Sequence, residues 1–248
     1  MSLKIWNMPD RWPGKGKPKA RQDRFFKVEN LIEGVPEIFI YDVIDADWGI
    51  GARQVIEALE QIGIRDTITV RLSSPGGDAM EAANIVNALT RNPAKIQISI
   101  DGQALSAGAT IALAGNTISM SNNALLMFHK PYTGMVGNDE QFIERAAVLT
   151  RAEDNIANMI VESNRKKMTF DDAKALMKGK VDGTWYNADE ALESGFIDEI
   201  TPSLAIAAYF DPDNFQGVPA SILARNDSQR GKRAEINARL DSMLLEEI

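Results

Sequence analysis

Two side chains in this sequence have types and spacing suited to joint chemistry. Ser106 stands in "QALSAGATIA", and His129 stands in "ALLMFHKPYTG" as the one histidine of 248 residues. A serine hydroxyl is a weak nucleophile at neutral pH until a base takes its proton, and imidazole suits that task. Ser106 follows the strand-like "KIQISI" and a turn, and it opens a helix of small residues. In such strand–turn–helix settings an exposed hydroxyl lies beside N–H groups left free at the helix start. The literal G-x-S-x-G pattern is not met, because Ala104 takes the place of the first glycine. A serine here also fits a helix N-cap, and a lone histidine also fits a packed core. The third feature is "SSPGGD" (73–78) at the end of a strand. Its glycines permit backbone conformations closed to other residues and let N–H groups face an anion or a carbonyl oxygen. It equally fits an ordinary tight turn, and no phosphate-loop pattern surrounds it.

The flanking elements that must position these residues are legible from period and punctuation. Apolar or β-branched runs at 37–43, 67–72, 95–100, 116–120, 124–128 and 196–200 read as strands. "DGQALSAGATIALAG" (101–115) reads as a turn running into a helix. Val55, Leu59 and Ile62 share one helical face that ends at Gly63, and "AMEAANIVNALTRN" is a second helix stopped by Pro93. A long helical stretch from about Asp139 to Lys167 puts Phe142, Ala146, Leu149, Ile156 and Ile160 on one face. Thr169 with Asp172, and Asn187 with Glu190, open two shorter helices. Strands alternating with helices predict one α/β domain with mostly parallel pairing.

Composition narrows the function classes. Apolar residues at 44% and charged residues at 25% describe a soluble globular protein. No apolar run reaches the roughly 18–20 residues that span a bilayer, so no membrane partner is expected. Zero cysteines and one histidine leave no disulfide and no ordinary zinc site. A net charge of −8 argues against a general nucleic-acid binder. The one basic cluster is Lys15, Lys17, Lys19, Arg21 and Arg24, set among prolines and glycines, and it reads as a flexible arm. At the other end, Ile236, Leu240, Met243 and Leu244 predict an amphipathic helix that docks on the domain or on another subunit. The expected compartment is the cytoplasm.

Four segments, "VRLSSPGGDAMEAANIVNAL", "IDGQALSAGATIALAGN", "NALLMFHKP" and "ADEALESGFIDEI", occur in the order found in ClpP-type serine peptidases. The chain resembles that family over about residues 36–201, which leaves 1–35 as the arm and 202–248 as a C-terminal extension. The resemblance implies the ClpP/crotonase-like spiral of ββα units around a mostly parallel sheet. It implies Ser106 as nucleophile, His129 as general base, and the amides of Gly77 and Ala107 as the oxyanion hole. It also implies a polypeptide substrate, no cofactor, and a homo-oligomeric ring, with rings often stacked through the helix at about 139–165. "HKPYTGMVGN", the long "DEQFIERAAVLTRAEDNIANMIVE" and the "TWYNADEALESGFIDEI" ending are similar to phage and prophage head maturation proteases. That branch implies ATP-independent cleavage of scaffold or capsid precursor in the host cytoplasm or the procapsid. One departure concerns the third triad member. Phage relatives usually carry an acid directly before the Thr-Trp pair, whereas here Gly183 holds that place and Asp182 precedes it. Asp182 orients His129 if the loop shifts by one residue, and it is a plain turn residue otherwise. Three other readings of the chain are a housekeeping ClpP subunit working with an AAA+ unfoldase, a crotonase-fold acyl-CoA enzyme and a non-catalytic ring component.

Overall fold

The segment "TITVRLSS" buries every second residue, and Ile68, Val70 and Leu72 are wholly inaccessible. The same period-two burial recurs in neighbouring strands at Ile38 and Ile40, at Ile96, Ile98 and Ile100, and at Ile118 and Met120. In a strand such alternation turns one face to a core. The computed structural model describes residues 26–32, 34–179 and 182–202. Its strands are β1 (Phe26–Glu29), β2 (Glu37–Ile40), β3 (Thr67–Ser74), β4 (Lys95–Leu105), β5 (Thr117–Ser121), β6 (Leu125–Phe128), β7 (Thr184–Tyr186) and β8 (Glu199–Thr201). Its helices are α1 (Ala52–Ile62), α2 (Ala79–Arg91), α3 (Ala107–Ala112), α4 (Asp139–Ser163), α5 (Phe170–Lys178) and α6 (Ala188–Glu193).

The strands form one sheet in the order β1-β2-β3-β4-β5-β8, parallel except for β1 at the edge. Val55, Leu59 and Ile62 of α1, and Ile85, Val86 and Leu89 of α2, belong to the same buried core as the inward strand residues. The opposite face is polar apart from one aromatic ring: paired positions run Phe39, Arg71, Ser99, Ser119, Glu199 across five strands. There Arg71 donates to Asp101 at 2.8 Å. β4 is long enough to serve two partners. Residues 97–100 pair with β5, and residues 103–105 pair instead with β6, which in turn pairs antiparallel with β7. This fork in the sheet carries the site.

The expected α/β architecture is present, with local differences. The strand at 95–100 continues through Leu105, so "DGQAL" is not a turn, because its backbone finds a second partner in β6. β1 lies inside the stretch assigned to the arm; its Phe26 and Val28 pack against the core. The last strand is Glu199–Thr201 rather than 196–200, and Phe196 and Ile197 are core residues that precede it. Gly63 ends α1 at φ 67°, and the Thr169–Asp172 and Asn187–Glu190 capping boxes are formed. Helix α4 ends at Ser163, and only Glu153, Ala157 and Ile160 in it are buried. Its first half makes no core, so the expected continuous apolar face of Phe142 to Ile160 is split. The arm before residue 26 and the expected C-terminal amphipathic helix lie outside the described residues.

Candidate active site

Ser106 sits where β4 stops and α3 starts, with φ 55° and ψ −118°. Few non-glycine residues adopt positive φ, and such strain concentrates at functional sites. The surroundings hold it there. Ser106 N–H donates to Met127 of β6 at 2.9 Å, and Thr110 N–H donates back to the Ser106 carbonyl at 3.1 Å. The hydroxyl makes no N-cap bond. It lies 2.7 Å from His129 Nε2 instead.

His129 directly follows β6, and pairing of β6 with the last three residues of β4 brings it to Ser106 across 23 residues of sequence. The imidazole is buried, and its other nitrogen, Nδ1, stands 3.4 Å from Asp182 Oδ1. That distance suits an ion pair, but among the described residues Nδ1 completes no hydrogen bond of good geometry. The His129 ring facing it holds the Asp182 carboxyl below the ordinary carboxylate range, against the opposing pull of partial burial. The carboxylate is 42% exposed, so the contact is screened. The position of Asp182 has a local cause. Gly183 has φ 86°, and a Cβ there would stand 2.3 Å from the Phe128 carbonyl oxygen and 2.6 Å from His129 Cβ. With this backbone no side chain fits at 183, and the carboxylate beside His129 Nδ1 is that of Asp182, one residue earlier. Thr184, whose hydroxyl donates to Leu176 at 2.6 Å, ties the start of β7 to α5.

The glycine turn closes the site from β3. Gly76 has φ 94°, and a Cβ there would lie 2.5 Å from the Leu105 carbonyl and 2.8 Å from Ser106 Cβ, so the turn passes directly over the serine. Ile44 pairs with this turn as a short parallel bridge: Ile44 N–H donates to Gly76 at 2.9 Å, and Asp78 N–H donates to Ile44 at 2.7 Å. In a parallel pairing the intervening residue turns its own N–H and C=O the other way, so Gly77 presents them on the far side from Ile44. Among the described residues neither the Gly77 N–H nor the Ala107 N–H donates to a turn or loop carbonyl. Ser74, which was not singled out in the sequence, fixes the turn. It is wholly buried, its hydroxyl donates to the Asp42 carbonyl at 2.7 Å, and it accepts from Gly76 N–H at 3.1 Å. Its only sequence signal is a serine at an inward strand position. Tyr132 was also missed; its ring meets the His129 ring edge-on at 5.5 Å between centroids.

A serine and an imidazole in contact at the carboxyl ends of a mostly parallel sheet, beside unclaimed amides, define a site of the serine-hydrolase class. Comparison with known proteins places the chain within that class. The family profile for Clp protease matches residues 20–203. The chain is 30% identical over 156 residues to the ATP-dependent Clp protease proteolytic subunit of Streptococcus pneumoniae strain Hungary19A-6, covering 60% of this chain and 77% of that protein. The subunits of strains CGSP14 and R6 show the same identity and coverage. The chain belongs to the Clp protease family and is a serine-type peptidase.

Proposed function

We propose that this protein is a serine endopeptidase in which Ser106 attacks the scissile carbonyl and His129 acts as general base, then as general acid. The 2.7 Å approach of Ser106 Oγ to His129 Nε2 carries this reading. The tautomer that accepts from the hydroxyl keeps its proton on Nδ1, which faces Asp182. As the hydroxyl proton moves to Nε2, the imidazole becomes cationic, and the Asp182 carboxylate at 3.4 Å favours that charge. The amides of Gly77 and Ala107 receive the oxyanion that forms on the carbonyl oxygen. The leaving amine takes the proton from His129, and water activated by the same nitrogen hydrolyses the acyl-enzyme. The outward N–H and C=O of Gly77 suit a substrate that adds as a strand beside the glycine turn.

For the biological setting, we propose ATP-independent processing of phage scaffold or capsid precursor by a homo-oligomeric ring. The sequence features around 130–163 and 184–200 support this setting. A second reading, a proteolytic subunit that works with an AAA+ unfoldase, draws on the names of the pneumococcal relatives. Ser106→Ala is expected to lower cleavage of denatured casein by about 10⁴-fold or more and to abolish labelling by a fluorophosphonate. Unchanged cleavage would overturn the assignment. Cutting of a cognate capsid precursor without nucleotide favours the first setting. Dependence on an added unfoldase and ATP favours the second.

A further inference from the structure

We infer that Glu153, a buried carboxylate on α4, is a positioning residue for the reaction: through Lys130 and Lys174 it fixes the end of α5 against His129 and so sets how closely Asp182 approaches the imidazole. This inference rests on the peptidase reading above. Glu153 is 8% exposed and lies on α4, outside the Ser106–His129 contact. Its Oε1 stands 2.9 Å from Lys130 Nζ and 3.7 Å from Lys174 Nζ. Both are charge contacts, because among the described residues Oε1 completes no hydrogen bond of good geometry. Lys174 also donates to Asp154 at 2.7 Å. Two carboxylates of α4 therefore face two ammonium groups, one from the residue directly after His129 and one from the middle of α5. A buried charge needs such partners, and removing one leaves the other uncompensated.

The end of α5 is what this cluster holds. A helix leaves its last carbonyls without partners inside the helix. Here three successive ones accept from the flanks of the catalytic pair. Leu176 accepts from the Thr184 hydroxyl at 2.6 Å, Met177 from Lys130 N–H at 3.2 Å, and Lys178 from Gly183 N–H at 3.2 Å. Lys130 directly follows His129, and Gly183 and Thr184 directly follow Asp182. One helix end therefore carries both sides of the His129–Asp182 contact. Ala173 and Met177 of α5 belong to the same buried core as Ala157 and Ile160 of α4. Apolar burial is non-directional, whereas the ion pairs from Glu153 reach α5 and the His129 segment at once and fix their register. The 3.4 Å between His129 Nδ1 and Asp182 Oδ1 is longer than a good hydrogen bond, so a slide of about half an ångström at α5 completes or breaks it.

The test measures kcat and KM on an internally quenched peptide taken from a casein site that the wild type cuts. The full-length wild type, Glu153→Gln, Asp182→Asn and the double variant are compared, each normalised to sites titrated with a fluorophosphonate. Glu153→Gln keeps the size of the side chain and removes its charge. It is expected to lower kcat about tenfold with KM within about twofold. In the Asp182→Asn background the same change is expected to cost less than about twofold, because it acts through a contact already lost. A change confined to KM, a kcat per titrated site equal to wild type, or a tenfold fall that persists beside Asp182→Asn overturns the inference and leaves the peptidase reading intact. If Glu153→Gln does not fold by circular dichroism, Lys174→Met, which releases α5 alone, is read against the same outcomes. A wild type that cuts nothing and is not labelled at Ser106 by a fluorophosphonate overturns the peptidase reading, and this inference falls with it.

Discussion

Ser106 keeps a backbone angle of φ 55° because bonds to β6 and from α3 hold it, and the reward is a hydroxyl aimed at an imidazole rather than at its own helix. The same kind of steric cause sets its partner. Gly183 presses against the Phe128 carbonyl and His129, which leaves the neighbouring Asp182 as the proposed orienting carboxylate. Gly183→Ala is expected to cost about 1–3 kcal/mol of stability, because the new Cβ meets backbone that cannot yield. It is also expected to lower kcat on the order of 10²-fold with little change in KM, as Asp182→Asn is, because the first displaces and the second removes the charge that would favour imidazolium. A Gly183→Ala protein with wild-type kcat would show that the Asp182 loop does not serve the base.

At the scale of elements, the site depends on two strand endings and on what anchors them. Ser74 is the anchor at the end of β3. At the far edge, Asp198 joins β8 to the rest: it accepts from Ile118 N–H at 2.7 Å and from Arg165 at 2.9 and 2.8 Å. Burial raises the Asp198 pKa, but the bonds from Arg165 and from Ile118 N–H outweigh it, and its carboxyl lies below the ordinary value. A carboxyl with a lowered folded-state pKa stabilises the fold above its unfolded value, about 3.9, and loses that contribution as pH falls through the folded value. Asp198→Asn is therefore expected to lower Tm by a few degrees at pH 7. The gap between variant and wild type should narrow below about pH 4, as followed by thermal melts across pH. A constant gap down to pH 2 would show that charge is not the cause.

For the whole molecule, helix α4 is the element whose first half buries no residue. Its second half is anchored by Glu153, Ala157 and Ile160, with Glu153 held by Lys130 at 2.9 Å. The first half exposes Phe142 at 51% and Ile143 at 71%. These exposed apolar side chains on one helix are where the proposed ring contact would lie. Replacing Phe142 and Ile143 together by Glu is expected to reduce the sedimenting species at least to a smaller assembly, with the domain still folded by circular dichroism. A sedimentation profile identical to wild type would place the ring contact elsewhere.

Much of this was legible in the residues alone. Period-two burial of isoleucine and valine marks the strands, capping boxes at Thr169 and Asn187 mark helix starts, and a chain with one histidine offers one imidazole base. These signals act between residues a few positions apart, where spacing and side-chain chemistry suffice. Tertiary structure alone decided that β4 runs on to Leu105 and changes partner from β5 to β6, because that choice belongs to strands far apart in sequence. It also decided that Ser106 and His129 meet, that Ser74 pins the glycine turn, and that the first half of α4 buries no residue. The place of Asp182 needed both levels. The sequence by itself determined that a glycine precedes Thr184, and only the packed backbone, with the Phe128 carbonyl 2.3 Å from any Cβ at 183, supplied the reason.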